Sequence, residues 1–126
     1  MQKPNSEGRF EYDRIILALR NIGKVFAENK PGELNFEAEL KIMFLTDEIE
    51  EATTERYIID QVDEIRLQAG ITYGKDYEKF NIDGPENPIS LFRGACYSIK
   101  CYMDVLITGE HPSGSGFLNE DGSFSV

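Results

Sequence analysis

Apolar residues recur at helical spacing in three stretches of the chain, and each stretch is predicted to be a helix. The first covers Tyr12 to Asn29 and the second Thr46 to Ala69, where Gly70 suits the C′ position that ends a helix. The third runs from about Pro88 to Thr108, because Asn87 can cap the first N–H groups and proline fits the first turn. The positions predicted to face inward are Ile15, Leu19, Ile22 and Phe26, then Ile58, Val62, Ile65 and Ala69, and then Phe92, Cys96, Ile99, Met103 and Leu106.

Two segments, 34–45 and 96–107, also fit a strand because apolar residues alternate along them. Helix is favoured in the first segment because Asn35 suits an N-cap and acidic residues suit the first turn. Three of its apolar residues also repeat at i, i+4, namely Phe36, Leu40 and Phe44. This segment either continues into the next helix or is separated from it near Thr53 and Thr54. We predict a mostly α fold, a compact bundle of three to four helices, with an α+β fold that has strands at 34–45 and 96–107 as the alternative.

The chain has 126 residues and no long polar linker, so it is predicted to form one domain, 1–126. Apolar residues make up 40% and charged residues 29%, which is the balance of a domain with a hydrophobic core. The ends, 1–9 and the Gly/Ser-rich segment 110–126, are predicted to be tails or straps. Cys96 and Cys101 lie on different faces of the last predicted helix, so we expect two reduced thiols.

The charge balance is strongly acidic, with 23 Asp and Glu against 13 Lys and Arg and a net charge of −10. Such a surface repels phosphate backbones, so direct nucleic-acid binding is disfavoured. The same charge is compatible with binding a basic protein partner or a divalent cation. No apolar stretch reaches the roughly 18 residues that span a bilayer. The first residues lack the apolar run of a secretory signal. We therefore expect a cytoplasmic protein, of a host or phage-infected cell, that does not associate with membranes.

Acidic residues are densest between positions 47 and 64. On helices, Glu48 and Glu51 share a face, as do Asp60 and Asp63, so two packed helices could bring these carboxylates to one Mg²⁺ ion. The other interpretations are a solvated helix face and an acidic docking surface. The full cluster consists of Asp47, Glu48, Glu50, Glu51, Glu55, Asp60, Asp63 and Glu64.

The spacing of these carboxylates resembles the E-x-x-E and E-x-x-D pattern of the all-helical nucleotide pyrophosphohydrolases of the MazG type. The resemblance covers about Leu40 to Ile71, and Asp60 stands where that family has Glu. It implies a helical bundle on which carboxylates bind Mg²⁺ while water attacks a nucleoside triphosphate. The implied metal ligands are Glu48, Glu51, Asp60 and Asp63.

A second candidate site is formed by Arg93, Tyr97 and Lys100, which share one stripe of the last predicted helix. Arginine and lysine beside a tyrosine ring can bind a flat anionic ligand such as a nucleotide. His111, in the Gly/Ser-rich tail, is a candidate donor to the same ligand. The alternative is an exposed amphipathic face followed by a surface tail.

Several catalytic designs are excluded by what the sequence lacks. The single His rules out paired Glu-x-x-His di-iron motifs and zinc sites built from His and Cys, and no phosphate-binding loop is present. No catalytic residue is assigned. We predict a small acidic, non-enzymatic binding module without a cofactor, such as an inhibitor or adaptor of the phage-antagonist type. It would engage a protein partner or a small anionic ligand, and homo-oligomers are left open. The alternative is a Mg²⁺-dependent nucleoside triphosphate pyrophosphohydrolase that uses residues 48–64.

Overall fold

The computed structural model describes residues 9–29, 34–74 and 88–109. Within these ranges it contains helices and one isolated antiparallel bridge, between Phe10 and Thr53, and no strand. The four helices are α1 (Tyr12–Glu28), α2 (Phe36–Glu51), α3 (Arg56–Thr72) and α4 (Pro88–Thr108). Each helix packs on the next along the chain, and α4 also contacts α1. The mostly α prediction of a compact helical bundle is therefore confirmed.

The core is formed by the predicted inward faces of α1, α3 and α4. All four predicted positions on α1 and all four on α3 are buried, and on α4 only Leu106 is less than fully buried. The rings of Phe26 and Phe92 meet edge to face with centroids 5.6 Å apart, which joins α1 to α4. Cys96 is fully buried and Cys101 partly so, and both thiols are free, as expected from their places on the helix.

All of segment 34–45 from Phe36 onward belongs to α2, so the alternative strand there is wrong. The Asn35 side chain accepts a hydrogen bond from the Ala38 N–H at 3.0 Å, which is the predicted N-cap. The helix continues to Glu51, so the predicted helix from Thr46 to Ala69 is divided between α2 and α3.

The division between α2 and α3 falls at the predicted threonine pair. The Thr53 hydroxyl donates to the Arg9 carbonyl oxygen at 2.8 Å, and the Thr54 N–H donates to the same oxygen at 2.8 Å. The Glu11 N–H also donates to the Ala52 carbonyl oxygen at 2.9 Å, so the segment before α1 binds one backbone N–H and one carbonyl group that would otherwise continue the helix.

Segment 96–107 lies inside α4, so the second alternative strand is also wrong. Gly109 follows that helix with φ of 80°, a conformation that favours glycine, and the predicted end of α4 is confirmed. The predicted end at Gly70 is wrong, because α3 continues to Thr72. A Cβ atom at Gly70 would lie 3.2 Å from a carboxylate oxygen of Glu39 on α2, so the Glu39 side chain lies close to this glycine.

Hydrogen bonds tie the helix ends together. The Tyr73 hydroxyl, after α3, donates to the Asn29 carbonyl oxygen after α1 at 3.1 Å, and the Asn35 N–H donates to the Tyr73 carbonyl oxygen at 2.9 Å. At the other end of the bundle, the Tyr12 hydroxyl donates to Asp104 at 2.8 Å. None of the helices in the described part of the chain is both long and apolar enough to cross a membrane.

Candidate functional site

Helix α2 carries apolar residues on two opposite faces. Its inner face, which includes Ala38 and Ile42, is buried against the rest of the bundle. On its outer face Phe36, Leu40 and Phe44 leave 66%, 43% and 64% of their surface exposed. We call these three residues the outer stripe. A helix that needs only one apolar face for its fold therefore presents a second one to solvent.

The outer stripe extends toward α1 through a groove of about 320 Å³. Phe44 and Leu45 line one side of this groove, and Leu17 and Ala18 of α1 line the other. Leu17 is itself 61% exposed. At about 150–200 Å² for a large apolar side chain, the outer stripe and Leu17 together expose roughly 400 Å². Patches of this size are the largest on typical monomers and are often functional.

An acidic end adjoins the outer stripe. Glu48 and Glu51 follow Phe44 by four and seven residues on α2, and Glu48 also lines the groove. The Arg14 guanidinium of α1 contacts three carboxylates there: Glu48 at 2.5 Å, Glu11 at 3.1 Å and Glu51 at 3.9 Å. Its hydrogen bond lowers the pKa of Glu48, and the same bond raises the pKa of Arg14. Because Arg14 carries one positive charge and contacts three carboxylates, this end of the groove keeps a net negative charge.

The four carboxylates predicted to bind Mg²⁺ contact three different arginines. Glu48 and Glu51 contact Arg14 of α1, whereas Asp60 contacts Arg56 at 3.2 Å. Asp63 contacts Arg66 at 3.6 Å, and both of these residues lie on α3. No group of three acidic, cysteine or histidine residues in the described ranges is arranged to hold a metal ion. The metal site remains a prediction from the sequence.

Arg66 is the cation that sequence reasoning missed in the acidic cluster. Its guanidinium contacts Glu50 at 2.7 Å and also binds Asp47, and its Nε donates to the Thr46 hydroxyl at 2.9 Å. The hydrogen bond with Glu50 is the main cause of the raised pKa of Arg66. This arginine joins α3 to α2, so two of the eight carboxylates of the acidic cluster, those of Asp47 and Glu50, take part in the packing of α2 on α3.

The predicted anionic-ligand residues have partners within the bundle. The Arg93 guanidinium lies over the Phe26 ring at 6.0 Å from its centroid, and the Lys100 ammonium contacts Asp104 at 2.7 Å. Tyr97 is only 9% exposed, and a hydrogen bond with Cys101 raises its pKa. His111 lies outside the described residues. The structure does not expose Tyr97 as a stacking platform, and a ligand site at these residues remains a prediction.

Sequence reasoning used the repeat of Phe36, Leu40 and Phe44 only to identify a helix. The signal for a surface was nevertheless present, because Ala38 and Ile42 define a second apolar face on the same segment.

Comparisons with protein-family models, curated proteins and solved structures find no significant match to this chain. The candidate site is therefore the surface formed by the outer stripe, Leu17 and the acidic end.

Proposed function

We propose that this protein is a small acidic, non-enzymatic binding module that engages a partner protein through the outer stripe of α2, as an inhibitor or adaptor does. The observation that carries the proposal is the exposure of Phe36, Leu40 and Phe44 on one helix face beside a groove. Exposed apolar surface is unfavourable in water, and its burial against a partner contributes about 25 cal/mol per Å² before the costs of association.

The size of the surface suits a protein partner. The roughly 400 Å² of apolar surface can form the centre of an interface that buries about 800 Å² on each side. Aromatic anchors at the centre of an interface commonly contribute most of its affinity. Phe36 and Phe44 have this character, and the carboxylates of Glu48 and Glu51 would lie at the polar rim.

Charge favours a protein over a nucleotide as the ligand. The carboxylates beside the groove outnumber the single Arg14, so an anionic ligand would be repelled from this surface. On α4, Lys100 already contacts Asp104, which competes with an incoming phosphate. Hydrolysis of a nucleoside triphosphate would require the four predicted carboxylates to converge on one Mg²⁺ ion, whereas in the described part of the chain they contact three different arginines, so binding is the function we favour.

Selection from a library of random amphipathic helical peptides tests this proposal. We expect the selected peptides to bind the wild type and to lose binding to the double variant Leu40→Ser with Phe44→Ser, by tenfold or more as is typical of interface anchors. The matched control is Leu67→Ser with Ile107→Ser, which removes exposed apolar side chains from α3 and α4 and should not change binding. Peptides that bind the outer-stripe variant as well as the wild type would refute the proposal.

A further inference from the structure

We infer that the partner segment at the outer stripe is an amphipathic helix that carries Lys or Arg one turn beyond its own apolar stripe. This inference rests on the proposed function and specifies the chemistry of the partner. Along the outer face of α2 the outer stripe is followed directly by Asp47, Glu48 and Glu51, of which Arg66 binds Asp47, so the carboxylates on the groove side of this acidic end are those of Glu48 and Glu51.

Helix geometry sets the dimensions of the partner. With a rise of 1.5 Å per residue, the outer stripe spans about 12 Å and Glu48 lies about 6 Å beyond Phe44. A second helix that places apolar residues at i, i+4 and i+7 covers the same length, and its next turn reaches the acidic end. The groove between Leu17 and Phe44 provides the concave surface on which such a helix can lie.

The carboxylates at the acidic end remain accessible although they contact Arg14. Glu51 is 68% exposed and its contact with Arg14, at 3.9 Å, is the longest of the three. Glu48 is 45% exposed despite its short contact with the same arginine. A partner cation can therefore bind these oxygens while Arg14 keeps its hydrogen bonds to Glu48 and Glu11, because a carboxylate accepts more than one donor.

Charge complementarity also argues against a second copy of this chain as the occupant. A second copy would bring ten further net negative charges, including its own Glu48 and Glu51, to an acidic surface. Like charges placed across an interface suppress association. A basic amphipathic helix satisfies both the apolar stripe and the acidic end.

Two stapled helical peptides of identical composition test the inference by fluorescence anisotropy. Both carry the same apolar stripe; peptide one has two lysines one turn beyond the stripe, and peptide two has them on the opposite face. We expect the wild type to bind peptide one about three- to tenfold more tightly, as two exposed ion pairs allow. The preference should shrink at roughly 0.5 M salt, where screening shortens electrostatic interactions to a few ångströms.

Variants separate the inference from the proposed function. The double variant Glu48→Gln with Glu51→Gln should bind both peptides equally. The matched control Asp60→Asn with Asp63→Asn removes two exposed carboxylates that also face arginines, and it should keep the preference. Circular dichroism of every variant confirms that it is folded.

Each further outcome has a distinct meaning. If the wild type binds neither peptide, or if Leu40→Ser with Phe44→Ser leaves binding unchanged, both the proposed function and the inference fail. If that variant loses both peptides but the wild type binds them equally, the module binds helices and the basic partner is wrong. Sedimentation of the wild type as a dimer that the same variant dissociates would identify a second copy as the occupant and overturn the inference.

Discussion

Alanine substitutions at two neighbouring positions of α2 measure directly whether its outer face is open. Ile42 is fully buried and Phe44 is 64% exposed, although both lie on the same helix two residues apart. Removal of a buried isoleucine side chain leaves a cavity and costs about 2–5 kcal/mol of unfolding free energy. Only about a third of the surface of Phe44 is covered, so Phe44→Ala should lose less than about 1 kcal/mol of the unfolding free energy that burial of this side chain contributes. Because alanine has a higher helix propensity than phenylalanine by about 0.5 kcal/mol, the net change in unfolding free energy should be close to zero.

Urea unfolding followed by circular dichroism provides the measurement. We expect Ile42→Ala to shift the midpoint strongly and Phe44→Ala to shift it little, with the same dependence on denaturant in both variants. A cost of 2 kcal/mol or more for Phe44→Ala would refute the reasoning, because it would mean that the outer stripe is covered in solution. Repetition at several protein concentrations would then distinguish cover by a second copy from cover by the same chain.

Three further predictions concern the arginine contacts, the alkaline pH range and the acidic cluster. Arg66→Gln should lower the unfolding free energy by about 1–3 kcal/mol, because the Arg66 side chain is only 19% exposed and contacts carboxylates of two helices. The control Arg56→Gln should change the unfolding free energy little, because the Arg56 side chain is 85% exposed. Burial raises the pKa of Tyr73 from 10.0 to about 12, so its contribution to stability is complete below pH 10 and is lost as the pH rises toward 12. Between pH 10 and 12 the melting temperature of Tyr73→Phe should therefore fall less steeply than that of the wild type. An equal fall in both proteins would contradict the assignment of this pH dependence to Tyr73. Glu51→Gln with Asp60→Asn should leave the fold intact and change the unfolding free energy by no more than about 1 kcal/mol, because the ion pairs of both residues with arginine are exposed. Mg²⁺-dependent pyrophosphate release that disappears in this variant would favour the hydrolase.

The candidate surface shows where prediction from the sequence stops. The i, i+4 repeat of Phe36, Leu40 and Phe44 identified a helix, but the same repeat is typical of a buried stripe. Ala38 and Ile42 face the core instead, because α2 packs on both α1 and α3 with that side. The orientation of α2 about its own axis is set by this packing, and no local pattern contains it.

The acidic cluster was visible in the sequence as a group, but its partners were not. The spacing of Glu48 and Glu51 correctly placed them on one face of a helix. Their contact with Arg14, more than thirty residues away, depends on how α1 lies beside α2. The contacts of Arg66 with Asp47 and Glu50 likewise depend on the packing of α3 on α2.

Local interactions explain what the sequence by itself determined about this protein. The Asn35 cap, the glycine at position 109 and the apolar stripes of α1, α3 and α4 act within a few residues, so helix type and most inward faces followed from them. The tertiary structure alone decided that α3 passes Gly70 without ending and that the second apolar face of α2 is exposed. It also decided which carboxylates contact arginine. Each of these depends on contacts between residues far apart in the chain, and their free energies outweigh local preferences of about 1 kcal/mol.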